Sequence, residues 1–215
     1  LIPNPGGNSG TQMGGWFNKE INSLDDLKGL KMRIPGLGGE VLKRAGGIPI
    51  TMPGGELFPA LQSGALDATE WVGPYNDLAF GFYKTAKYYY TPGWHEPGTA
   101  MECMINEKAF NALPADLQSI VRNAIKVANA DMLAEYTARN QQALHTLLTE
   151  HNVQLRYFPD SVLKALKTIS EQVVEEEAKR DALSAKVWAS QKAFKEQVMQ
   201  WTEVSEYTFL KARSL

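Results

Sequence analysis

Cysteine is nearly absent from this chain of 215 residues. Cys103 stands alone, which excludes an intramolecular disulfide and any metal site built from several thiolates. No apolar run approaches the roughly 18 residues that a membrane-spanning helix needs. Excess charge of either sign is also missing. A net charge of −2 and an isoelectric point near 6.0 remove the electrostatic case for nucleic acid or an anionic membrane as a main partner. Nothing in the composition looks disordered, and a hydrophobic content of 44% can fill the core of one large domain or two modest lobes. An initiator Met and a signal peptide are lacking at Leu1, where LIPNPGGNSG reads as a Gly-rich loop. The opening reads as that of a protein whose beginning has been removed.

What the chain does contain is an alternation of short strands and helices. Ser23 to Gly29 reads as a capped helical turn, and Leu30 to Ile34 as a strand stopped by Pro35. A helix is expected from Gly36 to Ala45, a strand over Ile48 to Met52, and a second helix over Glu56 to Ser63. Connections this short argue for strand–helix–strand units and a parallel sheet. Further on, the spacing predicts a helix over Tyr75 to Thr85 and strands at Tyr88 to Tyr90 and Thr99 to Asn106. Cys103 lies in the second of these, TAMECMI, and is expected to be a buried, inert thiol. A long helix follows from Ala115 to about His151, with Leu117, Ile120, Val127, Leu133, Leu144 and Leu147 among its apolar positions. After a strand over Val153 to Phe158 and a helix from Pro159, a last helix is expected from Asp181 to about Lys211. Its stripe of Leu183, Val187, Phe194, Val198 and Trp201 must pack back on its own domain or reach a partner.

Three stretches carry chemistry. In Gly64 to Asp77, GALDATEWVGPYND, a strand runs into a helix start marked by Gly73-Pro74. Glu70 and Trp71 sit at that junction, the carboxyl end of a strand, where ligands of open α/β sheets lie. Thr91 to Gly98 is a loop in which two Pro-Gly pairs bracket Trp94, His95 and Glu96, and rigid loops of this kind carry ligand contacts more often than cores do. His95 and Glu96 are neighbours that would point apart if extended, with one of them inward. Gly36-Leu-Gly38-Gly39 suggests a phosphate cradle, but Val41 breaks the dinucleotide pattern and no Gly-Lys-Ser/Thr follows.

The motifs Gly10-Thr-Gln12-Met-Gly-Gly-Trp-Phe, Leu27-Lys-Gly-Leu-Lys-Met-Arg33-Ile-Pro-Gly, Gly64-Ala-Leu-Asp-Ala-Thr-Glu70-Trp71 and Gly93-Trp-His-Glu96-Pro-Gly resemble, in order and spacing, those of a known family. It is the DctP type of TRAP-transporter solute-binding protein, and within it the subgroup that binds 2-oxo acids and other small carboxylates. The resemblance implies a periplasmic-binding-protein-like (type II) two-lobe α/β fold, N-terminally truncated, with long C-terminal helices. Residues 1–70 would be the first segment of lobe two, 71–98 the hinge and returning segment of lobe one, and 99–180 the second segment of lobe two with its long helix. Residues 181–215 would form a C-terminal helix and possible dimer arm.

Carried over residue by residue, the resemblance makes Arg33 the clamp for the ligand carboxylate, with Gln12 and Trp71 also touching the ligand. Gln12, Glu70, Trp71 and Glu96 would surround a bound Na⁺ or Ca²⁺. It also implies a periplasmic location, a membrane permease partner, a small monocarboxylate ligand such as pyruvate or lactate, and no catalysis. The chemistry of the residues agrees. A guanidinium offers two parallel donors to a carboxylate, which an ammonium cannot. One guanidinium against Glu70, Glu96 and a carboxylate ligand leaves excess negative charge in a closed cleft, and a hard cation would neutralise it. Two other readings remain open: a metal-dependent enzyme acting on a 2-oxo acid with Glu70 or Glu96 as base, and an extracytoplasmic sensor domain. Against the enzyme stands the expectation that no His lies beside those carboxylates.

Overall fold

Residues 1–215 are all described by the computed structural model. The chain opens with the strand β1 (Ile2–Thr11), turns, and enters the short strand β2 (Gly15–Phe17). Three strand–helix pairs follow: β3 (Lys31–Arg33) with α1 (Gly36–Arg44), β4 (Ile48–Ile50) with α2 (Leu57–Ser63), and β5 (Ala68–Thr69) with α3 (Pro74–Phe80). Then come β6 (Tyr88–Thr91), β7 (Gly98–Ile105), α4 (Glu107–Asn111), α5 (Ala115–Thr149), β8 (Gln154–Tyr157), α6 (Asp160–Glu177), α7 (Ala182–Thr202) and α8 (Thr208–Arg213). Two compact units divide the chain, Leu1–Ile169 and Ser170–Leu215.

The first unit holds a six-stranded sheet in the order β4–β3–β5–β2–β6–β8. β3 runs parallel to β4 and β5, as strand–helix–strand connections require. The expectation of a parallel sheet is corrected by β2, which runs antiparallel to both β5 and β6. No crossover helix leads into β2, so nothing constrains its direction, and aromatic pairing fixes its register. Trp16 lies opposite Tyr89 with the rings stacked at 4.1 Å, while Phe17, on the other face, meets Tyr90 edge-on at 5.0 Å. Trp16 and Tyr89 join Leu57, Leu66, Phe82 and Leu147 in a fully buried cluster. Truncating a core ring such as that of Trp16 to a methyl would cost about 3–5 kcal/mol.

The Gly-rich opening is a strand and not the expected loop. β1 pairs antiparallel with β7 from Ile2 opposite Ile105 to Thr11 opposite Gly98, with irregularities at Pro5/Gly7 and Asn8/Thr11 that absorb its poor strand formers. This ribbon has only two strands, so part of it has no covering layer. Cys103 is accordingly half-exposed where burial was expected, and Met101 and Met104 are exposed.

The helix expected over Tyr75 to Thr85 ends at Phe80, because Gly81 adopts a left-handed φ of 74° and closes it. The long helix is present as Ala115–Thr149, but its apolar residues do not share one buried face. Leu147 is fully buried, whereas Ile120 and Val127 are 60% and 66% exposed.

In the second unit, Asp181 caps α7 by accepting the Ser184 N–H at 2.7 Å, and Lys192 meets Glu175 at 2.8 Å. A π-helical turn at Glu203–Tyr207 separates α7 from α8 and interrupts the single helix expected there. Leu183, Val187, Phe194 and Trp201 of the apolar stripe are exposed.

Candidate functional site

Arg33 ends β3 and Glu70 follows the last residue of β5, which is its parallel neighbour. The Glu70 N–H donates to the Arg33 carbonyl at 3.2 Å, so the two side chains leave the sheet at the same level. The Thr69 hydroxyl, itself buried, donates to the Glu70 carbonyl at 2.9 Å and holds the chain as it departs from the strand. Arg33 Nη1 then donates to Glu70 Oε1, Nε donates to the Met52 carbonyl at 3.4 Å, and the guanidinium lies 5.2 Å from the centroid of the Trp71 ring. The clamp expected to face a ligand is therefore held in place by a carboxylate, a backbone carbonyl and an aromatic face.

Gln12 lies in the turn between β1 and β2 and is 2% exposed. Its Nε2 donates to Thr99 Oγ1, and the Thr99 hydroxyl donates to Glu96 Oε1 at 2.8 Å. Backbone bonds secure the same contact: the Gln12 N–H donates to the Pro97 carbonyl, and the Gly93 N–H donates to the Gln12 carbonyl, both at 3.2 Å. A Cβ at residue 93 would stand 2.8 Å from the Gln12 oxygen, so this approach needs glycine. The Met13 N–H donates to the Val72 carbonyl at 3.1 Å and joins the Gln12 turn to the segment after Glu70.

Two chains of side chains result, Arg33–Glu70–His95 and Gln12–Thr99–Glu96. They meet where His95 and Glu96 are consecutive. The pair points apart, as expected for neighbours, but the expectation that no His stands beside the carboxylates is corrected: His95 Nε2 lies 3.3 Å from Glu70 Oε2. The loop bracketed by Pro92 and Pro97 turns His95 inward against α1, where a Cβ on Gly38 would come within 3.2 Å of the His95 Cβ. Its density of functional groups was the signal for the site; which side chain turned inward was a matter of loop conformation.

A second residue outside the sequence expectations is Asp77, 1% exposed. Its Oδ2 accepts the Trp16 Nε1–H at 2.9 Å and the Tyr89 hydroxyl at 2.7 Å, and its Oδ1 accepts the N–H groups of Val72 and Gly73 at 3.3 and 3.2 Å. Burial pushes its pKa up to about 6, against the opposing pull of these four donors. Asp77 thereby ties the backbone just after Trp71 to the aromatic core. Pro74 at the helix start with an acid in the first turn was its only trace in the sequence.

Unpaired polar atoms collect at the site. Gln12 Oε1, Trp71 Nε1 and His95 Nδ1 are buried without hydrogen-bond partners, a condition that costs about 1–3 kcal/mol per group. No group of three or more His, Cys, Asp or Glu side chains is arranged to hold a metal ion. Amide and backbone oxygens are the other hard donors open to a cation here. Gln12 Oε1, the Glu70 and Glu96 carboxylates and the Trp71 carbonyl are the hard oxygen donors that Ca²⁺ or Na⁺ takes, and the buried, partnerless Gln12 oxygen fits such an ion.

The description "bacterial extracellular solute-binding protein, family 7", or DctP, belongs to the family profile that matches residues 4–181. A curated relative, the monocarboxylate 2-oxoacid-binding periplasmic protein of Nostoc sp. (strain PCC 7120), is 46% identical over 209 residues, which are 97% of this chain and 57% of the relative. Among solved structures, a TRAP periplasmic solute-binding protein of Colwellia psychrerythraea with bound calcium and pyruvate has a TM-score of 0.94 and 47% identity, covering 98% of this chain and 64% of that one. Its counterpart from Pseudoalteromonas atlantica T6c, with bound sodium and pyruvate, has a TM-score of 0.92 and 46% identity, with coverage of 98% and 64%. The sheet and helices described above are thus those of a TRAP periplasmic binding protein, represented over less than two thirds of the relatives' length. With a profile match over most of its length and a relative this similar, the chain belongs to the DctP family of bacterial extracellular solute-binding proteins.

Proposed function

We propose that this chain carries the cation and carboxylate site of a periplasmic TRAP-transporter receptor. The receptor captures a small 2-oxo or 2-hydroxy monocarboxylate such as pyruvate or lactate and delivers it to membrane permease subunits. Arg33, Gln12 and Trp71 contact the ligand. Gln12, Glu70, Trp71 and Glu96 supply the oxygens for Na⁺ or Ca²⁺. In this reading 1–70 and 99–180 form one lobe, 71–98 is the hinge and returning segment of the other, and the ligand is held by closure of the lobes. No bond is made or broken in the ligand.

The observation that carries the reading is the buried, partnerless Gln12 oxygen, at the end of a hydrogen-bonded chain that reaches Glu96. An acceptor kept in that state is matched by a cation, and the partnerless Trp71 Nε1–H and the Arg33 guanidinium are matched by ligand oxygens. His95 beside Glu70 removes one argument against an enzyme, yet the pyruvate bound in related receptors and the DctP membership both favour binding without turnover.

The test is calorimetric titration of pyruvate and lactate into the whole protein, including any sequence that flanks these residues, after chelation and sodium removal and again with Ca²⁺ or Na⁺ restored. Cation and carboxylate should each raise the other's affinity by the same factor. Equal affinity in all three conditions would overturn the cation site. The exposed stripe of Val187, Phe194 and Trp201 supports a further element of the reading, a homodimer through the C-terminal helix. Sedimentation at micromolar concentration checks it, and a wild-type monomer there would end the idea.

A further inference from the structure

We propose that His95 is a positioning residue that keeps Glu70 from closing on Arg33. The inference rests on the cation site described under the proposed function. Glu70 is buried, and its two oxygens are held from different directions: Oε1 by Arg33 Nη1 and Oε2 by His95 Nε2 at 3.3 Å. A carboxylate only accepts, so Nε2 carries the hydrogen in this contact. Without that donor, the preferred geometry of a guanidinium beside a carboxylate is the bidentate fork, with both oxygens on Arg33. Such a pair would take the Glu70 carboxylate from the cation and the Arg33 donors from the ligand at one stroke. The His95 hydrogen bond keeps the pairing one-sided and leaves each partner with capacity for its own guest.

The imidazole is itself fixed by packing. Its side chain is only 4% exposed, and the Trp94 ring meets it edge-on at 5.5 Å. Behind it, Gly38 in the first turn of α1 offers no side chain, and an added Cβ would stand 3.2 Å from the His95 Cβ and 3.1 Å from Ile34 Cδ1. A side chain at Gly38 would therefore press on His95 from behind without touching Glu70 directly, and on the core side chain of Ile34 as well. An alanine there favours the helix but crowds the His95 Cβ and the Ile34 side chain.

The experiment is calcium titration of the whole protein by calorimetry, with thermal melting beside it, for the wild type, His95→Phe, His95→Gln and Gly38→Ala. His95→Phe should weaken calcium by about 10–100-fold, the usual range when a partner that orients a metal ligand is lost. His95→Gln, whose amide N–H can replace Nε2–H, should recover most of that loss. Gly38→Ala should lower calcium affinity severalfold, with the melting curve showing that it still folds cooperatively. Calcium binding by His95→Phe within twofold of the wild type would overturn the proposal, as would equal weakening in His95→Phe and His95→Gln. If His95→Phe fails to fold, Gly38→Ala decides, and unchanged calcium affinity in it counts against positioning. A wild-type protein that binds neither calcium nor sodium would instead sink the cation site and, with it, the proposed function.

Discussion

Two buried polar clusters lie within a few residues of each other in the sequence and are finished in opposite ways. Asp77 has four donors on its two oxygens, from Trp16, Tyr89, Val72 and Gly73. Gln12, Trp71 and His95 each keep one buried polar atom without a partner. A satisfied network rigidifies the chain and leaves nothing for a guest, whereas an unsatisfied one holds free energy that a guest of the right chemistry releases. In the proposed reading, Asp77 is the anchor of the site and Gln12 part of its contact surface.

Removing the anchor should have the largest effect. Asp77→Ala leaves four donors facing a cavity and should cost about 3–5 kcal/mol of stability, read by denaturant unfolding. A loss below about 1 kcal/mol, the worth of one ordinary hydrogen bond, would erase the contrast between the two clusters. Arg33→Lys comes next. It should cost about 2–5 kcal/mol of carboxylate binding, because an ammonium cannot meet Glu70, Met52 and a ligand in the fixed fork of a guanidinium. Calorimetry on the whole protein checks this, and an affinity equal to the wild type would remove Arg33 from the ligand.

Gln12→Leu sharpens the comparison because its signs differ. It deletes the unpaired oxygen and also the Nε2–H bond to Thr99, two changes that offset, so stability should stay within about 1 kcal/mol of the wild type while calcium affinity falls about tenfold or more. Matched losses of stability and affinity would mean that Gln12 belongs with Asp77 as a structural group.

The smallest effect is a pH dependence confined to the anchor. Burial raises the Asp77 pKa from an ordinary 3.8 to about 6, so the folded protein binds this proton more tightly than the unfolded chain. The stability from this group is present in full below about pH 4 and is lost as pH rises through about 6. Unfolding free energy measured across that window should fall by about 1–3 kcal/mol in the wild type and stay flat at this step in Asp77→Asn. A wild-type profile that rises relative to Asp77→Asn would show that the four donors outweigh desolvation.

Local chemistry made several features legible in the sequence. Pro74 after Gly73 starts α3 where expected, Asp181 caps α7, and Pro35 stops β3 after Arg33. Gln12, Arg33, Glu70, Trp71 and Glu96 are singled out because each sits in a short motif that resembles those of the DctP family; only Glu70, Trp71 and Glu96 also stand out by local chemistry, at a strand end or in a constrained loop. Helix type and approximate ends followed from caps, prolines and apolar spacing, all of which act within a few residues.

Tertiary structure alone decided what depends on partners far along the chain. β1 is a strand despite Gly6, Gly7 and Gly10 because β7 supplies its ladder from residues 98–105. β2 takes its register from the aromatic rings of β6, and Cys103 is half-exposed because the β1–β7 ribbon is only two strands wide. Neither the His95–Glu70 contact nor the four donors on Asp77 could be read from spacing, since each joins segments that only folding brings together. The sequence by itself determined which polar and charged side chains lie at the strand ends and in the Pro-Gly loop. Which of them are satisfied, and which are left wanting a partner, was settled by long-range pairing, because a hydrogen bond has no sequence signature beyond the turn in which it closes.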